Sequence, residues 1–306
     1  MRRRSFLKGA VGSAVAGAIA PLVAEGSSCA SSVRDEKDVL DIWQSETDLV
    51  TPLDYKAYLS DGDTRGLKSL EKLERAFEKV FREATTLQVG DVPAVWSVYN
   101  LGYIVKTKEA LFSIDLVHRR ASEFAPYLDF SLVSHNHRDH FHQELYAKMN
   151  SAHKLVISNF LDNYGACSSK ERKAGGYVRG AKEFKIKDVT VRTSLVDHNS
   201  YLIDFTTAFE IRVGDWKLYH TGDCAVADKL YPTWGAPDLW LFFPMGALNV
   251  AQAAERVRAK RIVIGHIWEL QHATGRLTTP MVRRAIKNAA PFCPDVTAGL
   301  WGDRLV

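Results

Sequence analysis

Apolar residues recur at intervals of three and four in the segment before residue 90, with Lys, Glu and Arg between them. This spacing predicts an amphipathic helix with one buried stripe, because residues three and four apart lie on the same helix face. The stripe consists of Leu67, Leu70, Leu73, Phe77, Val80 and Phe81. We therefore expect residues 31–90 to form a helical extension that caps the rest of the chain.

From Ala94 onwards the pattern changes to short runs rich in Val, Ile, Phe and Tyr, which predict strands. The first two runs, at 94–106 and 110–116, are joined by a short polar connection and are predicted to form a hairpin. Later strand candidates lie at 130–134, 155–158, 189–196, 202–211, 217–219, 239–243 and 262–264. Helical patterns lie at 143–150, 246–257 and 279–289. Hairpins followed by alternating strands and helices predict an α/β (α+β) fold with two packed sheets and helices outside.

The composition is that of an ordinary globular protein, with 46% hydrophobic and 25% charged residues among 306. The formal net charge is +4, and four basic residues against one acidic residue lie within residues 1–32. The remainder is close to neutral and has no general basic field, so we expect no nucleic-acid partner. The four cysteines include no CxxC pair and predict no disulfide framework.

The first thirty residues have the layout of an export signal. The string RRSFLK at residues 3–8 precedes a weakly apolar run at 9–24, which is shorter than the roughly 20 residues of a membrane span. This string resembles the bacterial twin-arginine signal. We assign residues 1–30 to a twin-arginine signal peptide and expect the twin-arginine translocation machinery as a partner and a periplasmic location. A basic amphipathic helix is the alternative, and lipidation at Cys29 would add a membrane anchor.

The string SHNHRDH at residues 134–140 follows a predicted strand and gathers three imidazoles and a carboxylate. Neutral imidazole nitrogens and carboxylate oxygens are natural ligands of divalent cations. His135 and His137 point the same way from an extended segment, because side chains alternate along it. They can therefore bind one ion, while Asp139 and His140 turn towards a second.

Three further candidate ligands each follow a predicted strand. His198 follows the strand at 189–196, Asp223 comes directly after a glycine that permits a sharp turn, and His266 follows an apolar strand and a glycine. Each is a weak signal when taken singly. Their occurrence in this order after HxHxDH leads us to interpret all three as ligands.

This order of motifs resembles the metallo-β-lactamase-fold hydrolase superfamily over about residues 92–270. SHNHRDH, and the segment YNLGY at 99–103 leading to Asp115, are most similar to the branch that contains ascorbate-6-phosphate lactonase and N-acyl-phosphatidylethanolamine phospholipase D. The resemblance implies a four-layer αββα sandwich for the domain at 91–306, with two divalent metal ions at one edge of the sheets. The implied ligands are His135, His137 and His198 for one ion, Asp139, His140 and His266 for the other, and Asp223 bridging both. Zinc is the favoured metal, and manganese and iron are compatible with these ligands.

Such a site predicts an exported dinuclear hydrolase in which a metal-bridging hydroxide attacks a small-molecule lactone, ester or phosphodiester. Asp139 is the predicted catalytic residue, because its carboxylate can orient the nucleophile and later carry a proton. One alternative is a true β-lactamase, although FHQ stands at residues 141–143 where those enzymes commonly have a Gly-rich flank. The other is a non-catalytic metal-binding protein, against which the complete ligand set argues.

Four neighbouring residues have two interpretations each. His220 precedes Gly222 by two residues and is either a hydrogen-bond partner behind a ligand or a buried structural histidine. Trp268, Glu269 and His272 follow His266 and are candidates for the pocket mouth, although loop packing is the stronger interpretation.

Overall fold

The computed structural model describes residues 36–160, 182–244, 248–271 and 277–306. The predicted signal peptide, Cys29 and His272 lie outside the described residues. Six α-helices occur within these ranges: α1 Glu36–Ser45, α2 Pro52–Asp61, α3 Lys68–Thr86, α4 Gln143–Ser151, α5 Val250–Val257 and α6 Thr279–Ala289. A search of the same ranges finds no helix with the length and apolar character needed to cross a membrane.

Twelve strands in the described chain form two sheets. The first sheet has the order β1-β2-β3-β4-β5 and the second has the order β12-β11-β10-β9-β8-β7-β6. Strands of the first sheet are β1 Ala94–Tyr99, β2 Gly102–Lys106, β3 Leu111–Ile114, β4 Phe130–Leu132 and β5 Leu155–Ile157. Strands of the second sheet are β6 Lys182–Ile186, β7 Val189–Val196, β8 Thr206–Val213, β9 Trp216–His220, β10 Leu239–Phe242, β11 Arg261–Ile264 and β12 Asp295–Ala298. Neighbouring strands are antiparallel from β1 through β3 and from β6 through β9. They are parallel from β3 through β5 and from β9 through β12.

Helices lie against both sheets. α3 packs on β1 and β2, α4 packs on β5, and α6 packs on β12 and on both α1 and α5. All six residues of β1 are buried, which is the pattern of a strand covered on both faces. The α/β class predicted from the sequence is confirmed.

The chain between residues 94 and 106 differs from the prediction, because it forms two strands where one was expected. Asn100 has a φ of +58° and turns the chain between β1 and β2. A Cβ atom at Gly102 would lie 2.8 Å from the Tyr99 carbonyl oxygen and 2.9 Å from that of Asp115. The turn therefore needs a glycine at this position, and the strand run reverses at a point that apolar pattern alone does not mark.

The strand predicted at 202–211 begins only at Thr206, because side chains organise the preceding residues into a turn. The Asn199 Oδ1 atom accepts hydrogen bonds from the backbone N–H groups of Tyr201 and Leu202, at 2.8 and 2.9 Å. The Asp204 N–H donates to Asp197 Oδ1 at 2.8 Å. Asn and Asp commonly bond local backbone in this way and so compete with strand pairing. β6 and β12 were not predicted, and β6 has the charged sequence KEFKI.

The helix predicted before residue 90 is confirmed as α3, whose buried face includes Leu70, Leu73, Phe77 and Val80. Phe77 stacks on the His118 ring with centroids 4.1 Å apart. His118 is fully buried, and burial lowers its pKa well below the usual value, so the ring is neutral.

A polar cluster joins the extension to the segment that follows β3. The Tyr58 hydroxyl of α2 donates to Glu74 Oε1 at 2.6 Å and lies 2.9 Å from His118 Nε2. Tyr58→Phe is expected to lower the free energy of unfolding by about 1–2 kcal/mol, because it leaves the buried His118 Nε2 atom without its hydrogen bond, whereas Glu74 keeps Arg119. Urea unfolding measures the change. Tyr127→Phe is the control, since Tyr127 is 51% exposed, and equal unfolding of the two variants would contradict a stabilising role for the cluster.

Candidate metal centre

The seven candidate residues lie where strands of the two sheets end at a common edge. The 134–140 string follows β4, His198 follows β7, Asp223 follows β9 and His266 follows β11. β7, β9 and β11 run in the same direction within the second sheet. Their carboxyl ends therefore meet at one edge, which is why residues separated by many positions in sequence come together.

Within the described residues, two groups of four side chains have the spacing needed to hold a cation. The ligand atoms of each group all lie within 4.8 Å of one another. The first group is His135, His137, His198 and Asp223, and the second is Asp139, His140, Asp223 and His266. Asp223 belongs to both groups, so the structure brings together all seven residues that the sequence proposes.

Asp223 spans the two groups through its two oxygens. Its Oδ2 atom lies 3.6 Å from His198 Nε2 and 3.9 Å from His135 Nε2. Its Oδ1 atom lies 3.2 Å from His140 Nε2. A carboxylate in this position can contact two cations at once.

Asn100 orients two members of the second group. Its Nδ2 atom donates to both the backbone oxygen and the Oδ2 atom of Asp139, each at 3.1 Å. Its backbone oxygen accepts the His266 N–H at 3.0 Å. The Asp139 Oδ2 atom lies 3.1 Å from His266 Nε2. This orienting role was not predicted, although an Asn that precedes a Leu-Gly pair in an apolar run is a recognisable turn signal.

Asp115 is a fully buried carboxylate behind the candidate ligands. It accepts hydrogen bonds from the backbone N–H and hydroxyl of Ser134, both at 2.6 Å, and its Oδ2 atom lies 2.9 Å from His140 Nδ1. The Ser134 hydroxyl, which donates to Asp115, lies 2.9 Å from His135 Nδ1. Both histidines can therefore carry their proton on Nδ1 and direct the Nε2 lone pair into the centre. Sequence reasoning gave Asp115 no role, and its signal is an acidic residue directly after a buried strand.

His220 lies behind the centre and is absent from both groups. Its Nε2 atom is 3.7 Å from Asp115 Oδ2, and its Nδ1 atom accepts the Gly222 N–H at 3.3 Å. The ring is fully buried, its Nε2 atom has no hydrogen-bond partner in the described structure and its Nδ1 atom binds backbone, so of its two interpretations the structure favours the buried structural histidine.

The centre combines two histidines that favour the neutral form, one histidine that favours the protonated form, and ionised carboxylates. Burial lowers the pKa of His135 well below the usual value and lowers that of His198. Burial also opposes charge on His140, but Asp223, Asp139 and Asp115 outweigh it and raise the pKa of His140 well above the usual value. Burial raises the pKa of Asp139 and Asp223, and the neighbouring histidines, His140 foremost, more than offset this and lower both. A divalent cation would replace the proton that these carboxylates otherwise hold on His140.

Two aromatic rings that the sequence did not identify flank the candidate ligands. The Phe205 centroid lies 5.2 Å from that of His137 and 5.7 Å from that of His135. Phe243 stacks on His266 with centroids 4.0 Å apart. These rings keep the imidazoles out of water on one side, and apolar pattern alone does not distinguish them from core residues.

Gly222 fixes the turn that presents Asp223. Its φ is +50°, and a Cβ atom there would lie 2.6 Å from Thr206 Cγ2 and 2.9 Å from Ser134 Cβ.

Gly222→Ala is expected to lower the free energy of unfolding by about 1–3 kcal/mol through backbone strain and overpacking. The matched control is Gly214→Ala, where φ is +56° and no atom lies within 4 Å of the added methyl group. In urea unfolding Gly222→Ala should be the less stable variant, and equal stabilities would show that the packing around Gly222 has no effect.

The family model for the beta-lactamase superfamily domain matches residues 95–264 of the chain. This range includes all of β1 except its first residue, β2 to β11, and every candidate ligand except His266, which lies two residues beyond it. No curated protein sequence shows significant similarity to the chain.

Solved structures with the same fold include three of low sequence identity. Igni18, a metallo hydrolase from the archaeon Ignicoccus hospitalis, is 16% identical, has a TM-score of 0.52, and covers 70% of this chain and 97% of its own. The metallo-beta-lactamase fold protein YhfI from Bacillus subtilis is 15% identical and has a TM-score of 0.51. The match covers 70% of this chain and 99% of YhfI. A variant of the beta-hydroxylase CmlA is 15% identical and has a TM-score of 0.51. The match covers 80% of this chain and 61% of the CmlA chain. These similarities establish the fold and leave the reaction to be argued from the site.

Proposed function

This chain belongs to the beta-lactamase superfamily, and we propose that it is an exported metal-dependent hydrolase of a small-molecule lactone, ester or phosphodiester. The observation that carries the proposal is the pair of His and Asp groups that share Asp223. The substrate classes follow from the resemblance of SHNHRDH and of the turn before Asp115 to the lactonase and phospholipase branch.

The buried polar atoms of the centre fit a pair of cations. His135 Nε2 and His198 Nε2 are buried and have no hydrogen-bond partner in the described structure, and His140 Nε2 faces only carboxylate oxygens, with Asp223 Oδ1 at 3.2 Å. Leaving such an atom unpaired costs about 1–3 kcal/mol. A cation in each group would bind these atoms and so remove the cost of burying them without a partner.

We assign His135, His137 and His198 to one cation and Asp139, His140 and His266 to the other, with Asp223 contacting both. Imidazole and carboxylate donors suit zinc, which we favour, and they also suit manganese and iron. When bound, two such cations would activate water as a nucleophile and stabilise the negative charge that develops on the substrate.

The residues of the chain supply orientation and a proton acceptor. Asp139 is held by Asn100 and His266 at Oδ2, and its depressed pKa keeps it ionised at neutral pH. An ionised carboxylate accepts a hydrogen bond from water and so fixes the direction of attack. Asp115 acts indirectly, because its carboxylate binds the Nδ1 atom of His140 and so orients that ligand.

A screen that combines metal identity with substrate class tests this function. The mature protein is stripped of metal, reloaded separately with zinc, manganese or iron, and assayed on lactones, p-nitrophenyl esters, bis-p-nitrophenyl phosphate and nitrocefin. We expect metal-dependent turnover of a lactone, ester or phosphodiester. Turnover of nitrocefin alone would favour a β-lactamase. Two bound ions without turnover of any substrate would favour a non-catalytic metal-binding protein.

The RRSFLK string supports the proposal of export through the twin-arginine machinery to the periplasm. This route carries folded cargo, which suits a protein that takes up its metal before it leaves the cytoplasm. A variant with Arg3→Lys and Arg4→Lys should stay in the cytoplasm, while the control Arg2→Lys should be exported. Mass spectrometry of the mature N-terminus then shows whether Cys29 is lipidated, and export of the double variant would overturn the proposed route.

A further inference from the structure

We propose that the helical extension positions the second candidate metal site. Aromatic side chains of α1 and α2 hold residues 265–271, here called the His266 loop, and through this loop they hold His266 itself. The proposal rests on the metal centre proposed above and assigns a role to helices that lie far from the ligands in sequence.

The His266 loop has a backbone that needs external support. His266 has a φ of +60° and Trp268 has a φ of +52°, a conformation that bulky side chains rarely adopt. Such strain persists only where the surroundings over-determine the backbone. The loop also begins in a tight space, because a Cβ atom at Gly265 would overlap the Tyr103 hydroxyl.

Trp43 of α1 contacts the loop directly. Its ring stacks on Trp268 with centroids 5.5 Å apart and an interplanar angle of 26°, and it meets Trp301 edge-on at 5.4 Å. The Lys72 Nζ atom lies 4.0 Å from the centroid of the Trp43 ring. α1 is anchored beside the domain by an ion pair of 2.5 Å between Asp41 and Arg283.

Tyr99 of β1 also holds the loop, and α2 packs against it. Its hydroxyl accepts the Leu270 N–H at 2.7 Å and donates to the buried Glu269 at 3.4 Å. Tyr55 of α2 packs against the Tyr99 ring with centroids 5.9 Å apart. The next residue, Asn100, accepts the His266 N–H. The extension therefore reaches the residues that follow His266 by two routes, directly through Trp43 and Trp268 and indirectly through Tyr55 and Tyr99.

The two candidate sites depend on this support to different degrees. His266 belongs only to the second group, whereas the three histidines of the first group pack around Phe205. Loss of a group that orients a metal ligand typically lowers metal affinity by about 10–100-fold. We expect this loss at the second site and an unchanged first site when the extension no longer holds the loop.

Zinc titration of three full-chain variants tests the proposal. Trp43→Ala removes the stacking partner of Trp268, and Tyr99→Phe removes only the hydroxyl that binds Leu270 and Glu269. The control Phe81→Ala removes an aromatic side chain of the same extension that packs on Phe124 and Tyr127 instead. Titration with zinc alone against a competing chromophoric chelator gives the two affinities, and mass spectrometry counts the bound zinc ions. A thermal melt of each metal-free variant shows whether it is folded.

In Trp43→Ala and Tyr99→Phe we expect one zinc to bind with unchanged affinity and the second to bind about 10–100-fold more weakly. Phe81→Ala should keep both affinities even where its melting temperature falls. Equal weakening of binding for both ions, the same loss in Phe81→Ala, or an unchanged second affinity in Trp43→Ala would overturn the proposal. Should Trp43→Ala fail to fold, Trp43→Leu takes its place, because Tyr99 lies in β1 and its variant reports on the loop rather than on the extension. If the unaltered chain binds no zinc, the proposed function fails together with this proposal. If the unaltered chain binds two zinc ions and only the variants behave otherwise than expected, this proposal alone fails.

Discussion

Asp223→Asn is expected to lower kcat/KM by roughly a thousandfold or more, because a catalytic cation contributes several kcal/mol to the transition state. Among the described residues, Asp223 is the side chain that both groups share. Its oxygens face His198 on one side and His140 on the other. An amide supplies one neutral oxygen in place of two charged ones, so we also expect bound zinc to fall from two ions to one or none.

Steady-state hydrolysis and zinc content measure the effect of Asp223→Asn together. Asp215→Asn is the matched control, because Asp215 is exposed in the turn between β8 and β9. The control should keep both ions and full activity. An Asp223→Asn protein with two zinc ions and unchanged kcat/KM would contradict the bridging role.

Asp115→Ala is expected to lower the free energy of unfolding by about 3–5 kcal/mol, the usual cost of breaking a buried charged pair by removing one partner. The change leaves the Ser134 N–H, the Ser134 hydroxyl and the His140 ring without their acceptor. We also expect zinc affinity to fall by about 10–100-fold, because His140 and His135 lose the interactions that orient them.

Urea unfolding of metal-free and zinc-loaded protein measures both effects of Asp115→Ala. The control is Asp188→Ala, since Asp188 is only partly buried and makes a single hydrogen bond to Thr107. Its expected cost is about 1 kcal/mol. Equal losses in the two variants would show that Asp115 is an ordinary surface-like carboxylate rather than the support of the centre.

The candidate ligands could be predicted from sequence because their signals are local. HxHxDH places four donors within six residues, and His198, Asp223 and His266 each stand two or three residues after the end of a strand that the apolar pattern reveals. Strand direction then brings them together. The sequence alone thus contained most of the information that defines the two groups.

The support of the ligands could not be predicted because it depends on contacts between distant residues. Asp115 meets its partners 19 and 25 residues later, and no pattern links an acidic residue to a histidine at that separation. The division of residues 94–106 follows from the turn at Asn100, whose side chain bonds Asp139. Trp43 and Trp268 come from opposite ends of the chain, so only the folded structure shows that the extension contacts the His266 loop.

Anomalous diffraction from crystals of the zinc-loaded protein, measured on both sides of the zinc absorption edge, tests the dinuclear centre most directly. Two peaks about 3.5–4 Å apart are expected, one among His135, His137 and His198 and the other among Asp139, His140 and His266, with Asp223 in contact with both. No peak, a single peak, or peaks away from these seven side chains would contradict the dinuclear centre.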